Sequence, residues 1–344
     1  MSVPGGSDAA REQVLEHIRR DSRFVLATHE NPDGDALGSL IGMHELLSAL
    51  GKEADMFISS DDLPPPPEYS MFDLSGAIQS PPTDIAERTV VFLDCGNIDR
   101  NSASVLRRGA SLLNIDHHHD NTRFGTLDYV VPSASSTAEI VWELTRALGV
   151  EPTPAAAEAL YIALITDTGR FMYENTGPQA HRMAAELIEA GVDVQGVYRA
   201  LYEDVPPEKV SLLALALGDV RRFDDGELTL AALSAKDFEN ADAEEHHSEG
   251  IVDQLRALHG TKVAVLVREL ISGERKGQRK VSLRAADDGI DVSRIARAQG
   301  GGGHRRAAGF STTLDVDELV AFLRSEIAAQ RGGSPADRAA ATLA

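Results

Sequence analysis

Four short clusters of carboxylates and imidazoles carry most of the chemistry legible in this sequence. The first is His29-Glu-Asn-Pro-Asp33-Gly-Asp35 and the second is Asp94, in Phe-Leu-Asp-Cys-Gly. The third is Asp116-His117-His118-His119, and the fourth is Asp167, in Leu-Ile-Thr-Asp-Thr-Gly. Acids brought together in this way repel one another and push their pKa values up. Positive charge has to offset the repulsion, yet none of the four clusters contains Arg or Lys. Divalent metal is the economical answer. Without a thiolate ligand, mixed imidazole and carboxylate donors suit a hard or borderline ion such as Mn²⁺, Mg²⁺, Fe²⁺ or Zn²⁺. The donors exceed the needs of one ion, and two ions about 3.5–4 Å apart, sharing a carboxylate, would use them all. Such a pair acidifies a bridging water and stabilises charge on a phosphoryl group. Taken singly, each residue has a plainer role open to it. Asp33 and Asp35 can cap the helix that follows, Asp94 and Asp167 can form turns, and a His triplet can lie in a solvated loop. Those roles leave the comparable placement of all four clusters unexplained.

That placement comes from the elements around them. Residues 23–28 form a short apolar run that ends at His29. A helical stripe follows Asp35, with Leu37, Leu40, Ile41, His44, Leu47 and Leu50 on one side, closed by Gly51. Residues 89–93 and 111–115 are further apolar runs, ending at Asp94 and Asp116. Continuous rather than alternating apolar strands predict burial on both faces, as in a parallel sheet. Ligands of an open parallel sheet bind beyond the carboxyl ends of its strands. The first three clusters should therefore converge, although nearly 90 residues separate them. Helices are predicted over 12–20, 137–148 and 155–166, the last ending at Asp167. A helical stretch over 193–218 follows. Beyond it come strands at 228–233, 262–270 and 280–284, helices near 248–259 and 291–298, a glycine run at 300–303, and a final helix over 315–330.

The expected architecture is α/β: a larger domain with a mostly parallel sheet, a helical connector, a smaller α/β domain, and an active site in the cleft between the domains. The expected bounds are a disordered lead over 1–11, a catalytic domain over 12–190, a connector over 191–221, a second domain over 222–331 and a disordered tail over 332–344. A length of 344 residues agrees with about two domains. Acidic residues number 54 against 33 basic, a net charge of −21, which disfavours long duplex DNA and anionic lipid as partners. The single cysteine, Cys95, excludes an internal disulfide framework and a Cys-based zinc cage. There is no run of about 18–20 apolar residues to span a bilayer, and the first ten residues lack the pattern of a signal peptide. A cytoplasmic protein is expected.

The ordered motifs resemble those of the DHH phosphoesterases. These are His29-Glu-Asn-Pro-Asp-Gly-Asp-Ala-Leu-Gly-Ser39, Asp94, Asp116-His117-His118 and Asp167. Gly300-Gly-Gly-Gly-His304-Arg-Arg-Ala-Ala-Gly-Phe310 is similar to the glycine/histidine signature of the family's C-terminal DHHA1 domain. Ser135-Ser-Thr137, Gly169-Arg-Phe171, Asn175-Thr176 and Val281-Ser-Leu-Arg284 resemble the oligoribonuclease/pAp-phosphatase (NrnA-like) branch. The family usually follows its triplet with Pro-Thr-Asn; here the residues are His119-Asp120-Asn121. The resemblance implies one metal on His29, Asp33 and Asp94 and another on Asp35, Asp94, His117 and Asp167, with Asp94 bridging and Mn²⁺ as the ion. Mg²⁺ or another divalent ion is the substitute. His118 would contact the scissile phosphate, and Asp116 would orient an imidazole. The resemblance also favours a homodimer.

In the second domain, the glycines at 301–303 would let backbone N–H groups approach a phosphate, with His304 adding charge there, and the resemblance implies that Arg284 and His304 contact substrate. Residues 262–306 hold 11 Lys/Arg against 5 Asp/Glu, a surplus of +6 in an acidic chain. That surplus suits a short anionic ligand rather than a long strand, which needs a continuous positive track. The resemblance implies hydrolysis of short oligoribonucleotides (nanoRNA) to nucleoside 5′-monophosphates and of pAp to AMP, a phosphodiesterase/exoribonuclease and 3′(2′),5′-bisphosphate nucleotidase. The enzymatic alternative is a phosphodiesterase of linear or cyclic dinucleotides such as pApA and c-di-AMP. The non-enzyme alternative is a nucleotide sensor, which should have lost one or more of the acids.

Overall fold

The computed structural model describes residues 8–332 apart from 102, 204, 274 and 304. The chain divides after residue 204 into two compact units. The first unit runs α1 (Asp8–Arg20), β1 (Arg23–Ala27), α2 (Gly34–Ala49), β2 (Glu53–Met56), β3 (Thr89–Leu93), β4 (Ser111–Asp116) and β5 (Leu127–Val130). It continues with α3 (Thr137–Ala147), α4 (Pro154–Asp167), α5 (Pro178–Glu189) and α6 (Val194–Tyr198), which passes into a π-helical turn, Arg199–Glu203. Its sheet has the order β2-β1-β3-β4-β5, and every pairing is parallel.

The apolar runs are buried on both faces, as their composition predicts. Phe24, Leu26, Val91 and Leu93 face one core with residues of α2, α3 and α4. Val25, Ala27, Val90 and Phe92 face another, covered by short 3-10 turns and loops rather than by long helices. The first helix begins at Asp8, upstream of the expected start at 12. Residues 8–11, expected in a disordered lead, are helical, and Asp8 places a negative charge at the positive end of the helix dipole.

The second unit runs α7 (Pro207–Gly218), β6 (Arg221–Phe223), β7 (Leu228–Leu233), α8 (Ala235–Ala241), α9 (Ile251–Arg256), β8 (Val263–Glu269) and β9 (Arg279–Ala285). It ends with α10 (Val292–Arg297), β10 (Gly302–Gly303), β11 (Ala307–Thr312) and α11 (Val316–Gly332). The sheet order is β10-β11-β9-β8-β7-β6, with only β7–β8 parallel. The helical stretch predicted over 193–218 is interrupted. α7 starts at the Pro206-Pro207 pair, where proline excludes the helical conformation from the residue before it. Part of the stretch expected as a single connector therefore packs in the first unit and part in the second. Among the described residues no helix is long and apolar enough to cross a membrane.

Candidate metal centre

β1, β3 and β4 are neighbours running in one direction, so the segments leaving their carboxyl ends share one edge of the sheet. His29 lies two residues past β1, Asp94 one residue past β3, and Asp116 ends β4. Asp33 is the N-cap of α2, accepting from the Ala36 N–H at 3.1 Å, and Asp35 sits in the first turn. The capping role and membership of the cluster therefore coexist in Asp33. Asp167 closes α4. α2 and α4 touch through small residues. A Cβ on Gly38 would fall 2.3 Å from the Ala159 carbonyl oxygen, and one on Gly34 would fall 2.4 Å from Thr166 Oγ1. This close approach brings the end of α4 to the start of α2.

The four sequence clusters meet. His29 Nε2 lies 3.6 Å from Asp94 Oδ2. His117 Nε2 lies 3.6 Å from Asp94 Oδ1, 3.8 Å from Asp35 Oδ2 and 3.7 Å from Asp167 Oδ2. These spacings are too long for hydrogen bonds. Three overlapping groups have donor atoms within 4.8 Å of one another: His29/Asp33/Asp94, Asp35/His117/Asp167 and Asp94/His117/His118. Asp94 belongs to two of them. Its backbone is left-handed, with φ 55°, a conformation that Asp tolerates better than most residues with a side chain.

Hydrogen bonds outside the cluster aim these donors. His29 Nδ1 meets the Glu30 carbonyl at 2.8 Å and His117 Nδ1 meets that of Ala134 at 3.4 Å, so both rings turn Nε2 to the centre. Asp35 accepts from the backbone N–H groups of Thr137 at 2.7 Å and Ala138 at 3.0 Å, and from Ser39 Oγ at 3.2 Å. Thr137 Oγ1 donates to Asp94 Oδ1 at 3.1 Å. Ser136 caps α3 through the Glu139 N–H. The N–H groups of Thr137 and Ala138 are thus engaged by Asp35 and that of Glu139 by Ser136, so the start of α3 seats Asp35.

His118 is held differently. Its Nδ1 is 2.8 Å from Asp116 Oδ1, which also accepts from the His117 N–H at 2.9 Å. Asn121 Nδ2 donates to Asp116 Oδ2 at 2.5 Å. Asn175 Nδ2 reaches Asp167 Oδ2 and the Asp167 carbonyl, both at 3.1 Å, and the Ser135 carbonyl at 2.8 Å. Thr137, Asn121 and Asn175 are supporting residues that sequence reasoning did not assign. Each carried a signal: Asn121 as the retained Asn of the usual Pro-Thr-Asn, and Thr137 and Asn175 within segments that resemble the NrnA-like branch. His119 is exposed.

The acids strain against one another. Burial, then the charges of Asp94 and Asp167, push Asp35 well above the usual carboxylate range. Burial and the charges of Asp94 and Asp33 lift Asp167 to about 6, against the pull of His117. Burial alone would raise Asp94 too, but His29, His117 and His118 hold it below the ordinary range. Burial disfavours a charged His118, yet the bond to Asp116 and the charge of Asp94 raise it to about 9. Among the described residues no Lys or Arg pairs with Asp35, Asp94, Asp116 or Asp167; their ion-pair partners are histidines. An oxygen- and imidazole-rich pocket with excess negative charge and no resident cationic side chain fits divalent metal.

The predicted substrate residues other than His118 belong to the second unit. Arg284 is on β9 beside Ala307 of β11, with its Nε 3.4 Å from Asp253 Oδ1. Gly302 and Gly303 form the edge strand β10. A Cβ on Gly301 would sit 2.2 Å from the Gly309 carbonyl, whereas the space over Gly302 is open. His304 lies outside the described residues.

Residues 23–164 match the DHH family N-terminal domain, and residues 228–329 match the DHHA1 domain. This chain belongs to the DHH family. A Thermus thermophilus relative, named bifunctional oligoribonuclease and PAP phosphatase NrnA, is 36% identical over 312 residues, 89% of each chain. A Bacillus subtilis relative of the same name is 26% identical over 320 residues, covering 92% of this chain and 98% of its own. Among solved structures, an exopolyphosphatase-related protein from Bacteroides fragilis superposes with a TM-score of 0.84 at 22% identity, over 95% of this chain and 97% of that one. RecJ from Thermus thermophilus in complex with Mn²⁺ gives 0.52 at 16% identity, over 95% of this chain and 55% of RecJ. These two share the DHH fold.

Proposed function

We propose that this chain is a metal-dependent phosphoesterase that hydrolyses short oligoribonucleotides to nucleoside 5′-monophosphates and pAp to AMP. The observation that carries the reading is the convergence of overlapping donor groups on Asp94. The names of the Thermus thermophilus and Bacillus subtilis relatives support the substrate class. His29, Asp33 and Asp94 would hold one divalent ion, and Asp35, Asp94, His117 and Asp167 a second, with Mn²⁺ the first candidate. Bound there, such ions supply positive charge to a phosphoryl oxygen and lower the pKa of an attacking water.

The protein's own groups do the rest. His118 stands outside the proposed ligand set because Asp116 takes its Nδ1. That leaves Nε2 to donate to a phosphate oxygen, and the Asp116 carboxylate favours the ring's charged form. Asn121 fixes Asp116, and so fixes the ring at one remove. Arg284, the backbone of 301–303 and His304 would take the nucleotide's remaining phosphate, a task that suits the planar guanidinium. A sensor that had given up turnover would not need every acid, and here all are present.

A turnover assay with added Mn²⁺ tests the reading on a short RNA, pAp, a linear dinucleotide, a cyclic dinucleotide and pyrophosphate at matched concentration. Short RNA and pAp should be cleaved fastest, and Asp94→Ala should abolish turnover. Metal binding without hydrolysis of any of the five would leave a sensor. Near-normal activity in Asp94→Ala would remove the bridging role.

A further inference from the structure

Beside the acidic cluster lies an aromatic corner that the reaction as described does not use. The chain has six tyrosines, and five of them gather here. Tyr198 and Tyr202 have ring centroids 5.6 Å apart. Burial and then the phenols of Tyr198 and Tyr173 raise Tyr202 to about 12, against the charge of Arg170. Tyr161 is buried next to Tyr198. The turn bearing Tyr69 packs on the π-helical turn that carries Tyr202, and the Tyr69 hydroxyl lies against the backbone N–H of Gly34, between Asp33 and Asp35. The corner therefore borders the candidate centre on its α2 side.

It borders the centre from α4 as well. Three consecutive residues just past Asp167 are left-handed: Gly169 at φ 55°, Arg170 at 62° and Phe171 at 65°. Two of them carry side chains and are strained there. The surroundings hold them. Phe171 stacks on His181 with centroids 4.9 Å apart, and its N–H donates to Thr168 Oγ1 at 3.2 Å. This backbone sets the Arg170 guanidinium 4.9 Å over the Tyr202 ring. Arg170 is exposed and has no carboxylate partner among the described residues, in a chain of net charge −21. The same backbone lays the Tyr173 ring on Gly169, where a Cβ would fall 2.4 Å from the ring. Tyr173 is 49% exposed and Met172 66%.

We infer that Arg170, backed by Tyr202, and Tyr173 form a stacking shelf for a nucleobase of the substrate. A guanidinium plane and a phenol ring, each backed by protein on one side and open on the other, suit a flat aromatic ligand. Every base has such a face, so the shelf grips nucleotides without reading their sequence. It lies on the unit that bears the candidate metal ligands, next to two of the segments that present them. This inference rests on the nucleotide substrate proposed above.

The test uses the full chain with Mn²⁺ and two ligands: a non-hydrolysable dinucleotide and the same molecule with one base replaced by hydrogen. Wild type should bind the base-bearing ligand roughly tenfold more tightly or better. Arg170→Ala, Arg170→Lys and Tyr173→Ala should narrow that ratio to about threefold or less, with thermal unfolding verifying that each is folded. The Lys variant keeps the charge and loses the plane. A wild-type ratio in Arg170→Lys, or no base preference in wild type, would overturn the shelf. Turnover of the hydrolysable dinucleotide is read in parallel. A narrowed ratio in a chain that cleaves no ester would sustain the shelf and sink the proposed function. Cleavage with an unaltered ratio would do the reverse.

Discussion

Replacing Asp167 by Asn should stabilise the metal-free protein while weakening its response to metal. Raising a carboxyl from 3.8 to about 6 costs the folded state about 3 kcal/mol once the pH is well above both values. Two effects reduce what the amide recovers. The side chain is 27% exposed, so solvent screens part of the repulsion. The hydrogen bond from Asn175 to Asp167 Oδ2 also weakens when its acceptor becomes neutral. A net gain of about 1–2 kcal/mol remains, or roughly 3–6 °C in Tm for a unit of this size. Thermal unfolding in chelator and then in a Mn²⁺ titration reads both effects. Wild type should start lower and climb further with metal; Asp167→Asn should start higher and climb less. If the chelated variant is no more stable than wild type, mutual repulsion is not the dominant force in the cluster. An undiminished Mn²⁺ shift would remove Asp167 from the ligand set.

Three further outcomes are expected. Asp167 and His118 both have folded pKa values raised above their unfolded ones, so each contributes stability at low pH that is lost as pH rises. Chelated protein should therefore lose stability from about pH 4 to 6 through Asp167 and from about 6.5 to 9 through His118; a flat Tm across both windows would contradict this. Asn121→Ala should lower turnover about 10- to 100-fold by freeing Asp116, and metal-free NMR titration should show the His118 pKa falling from about 9; an unmoved pKa would deny the linkage. Gly38→Ala should cost about 1–3 kcal/mol by forcing a methyl against the Ala159 carbonyl, and should weaken Mn²⁺ binding measured by calorimetry. Unchanged affinity would show that contact between α2 and α4 does not set the spacing of the acids.

His29, Asp94 and Asp116 were legible in the sequence because each follows or ends an apolar run, and parallel strands gather such ends at one edge. β1, β3 and β4 fall where continuous apolar runs predict them. β5 and β11 escaped notice because Leu127–Val130 and Ala307–Thr312 mix polar and apolar residues, and only pairing with β4 and β9 makes them strands. The supporting contacts were less legible still. The bond from the Thr137 N–H to Asp35 spans 102 residues, and no local pattern announces it. Asn175 likewise acts only after α4 and the segment before α3 have met. The glycine run carried no strand signal, and it is the pairing of Gly302 and Gly303 with β11 and the near-contact of Gly301 with Gly309 that make it the edge of a sheet.

Asp35 complicates any attempt to assign function by deletion. Its two oxygens seat the first turn of α3 and also stand among the candidate ligands. Cutting the side chain back to a methyl would leave the Thr137 and Ala138 amides stranded in a dry interior. Through the Thr137 hydroxyl, the disturbance would also reach Asp94. An inactive Asp35→Ala protein would thus report a collapsed scaffold as much as a missing ligand. The isosteric Asn removes the charge and keeps an acceptor for one of the two amides, so it disturbs the scaffold less than Ala and its failure is the easier to interpret.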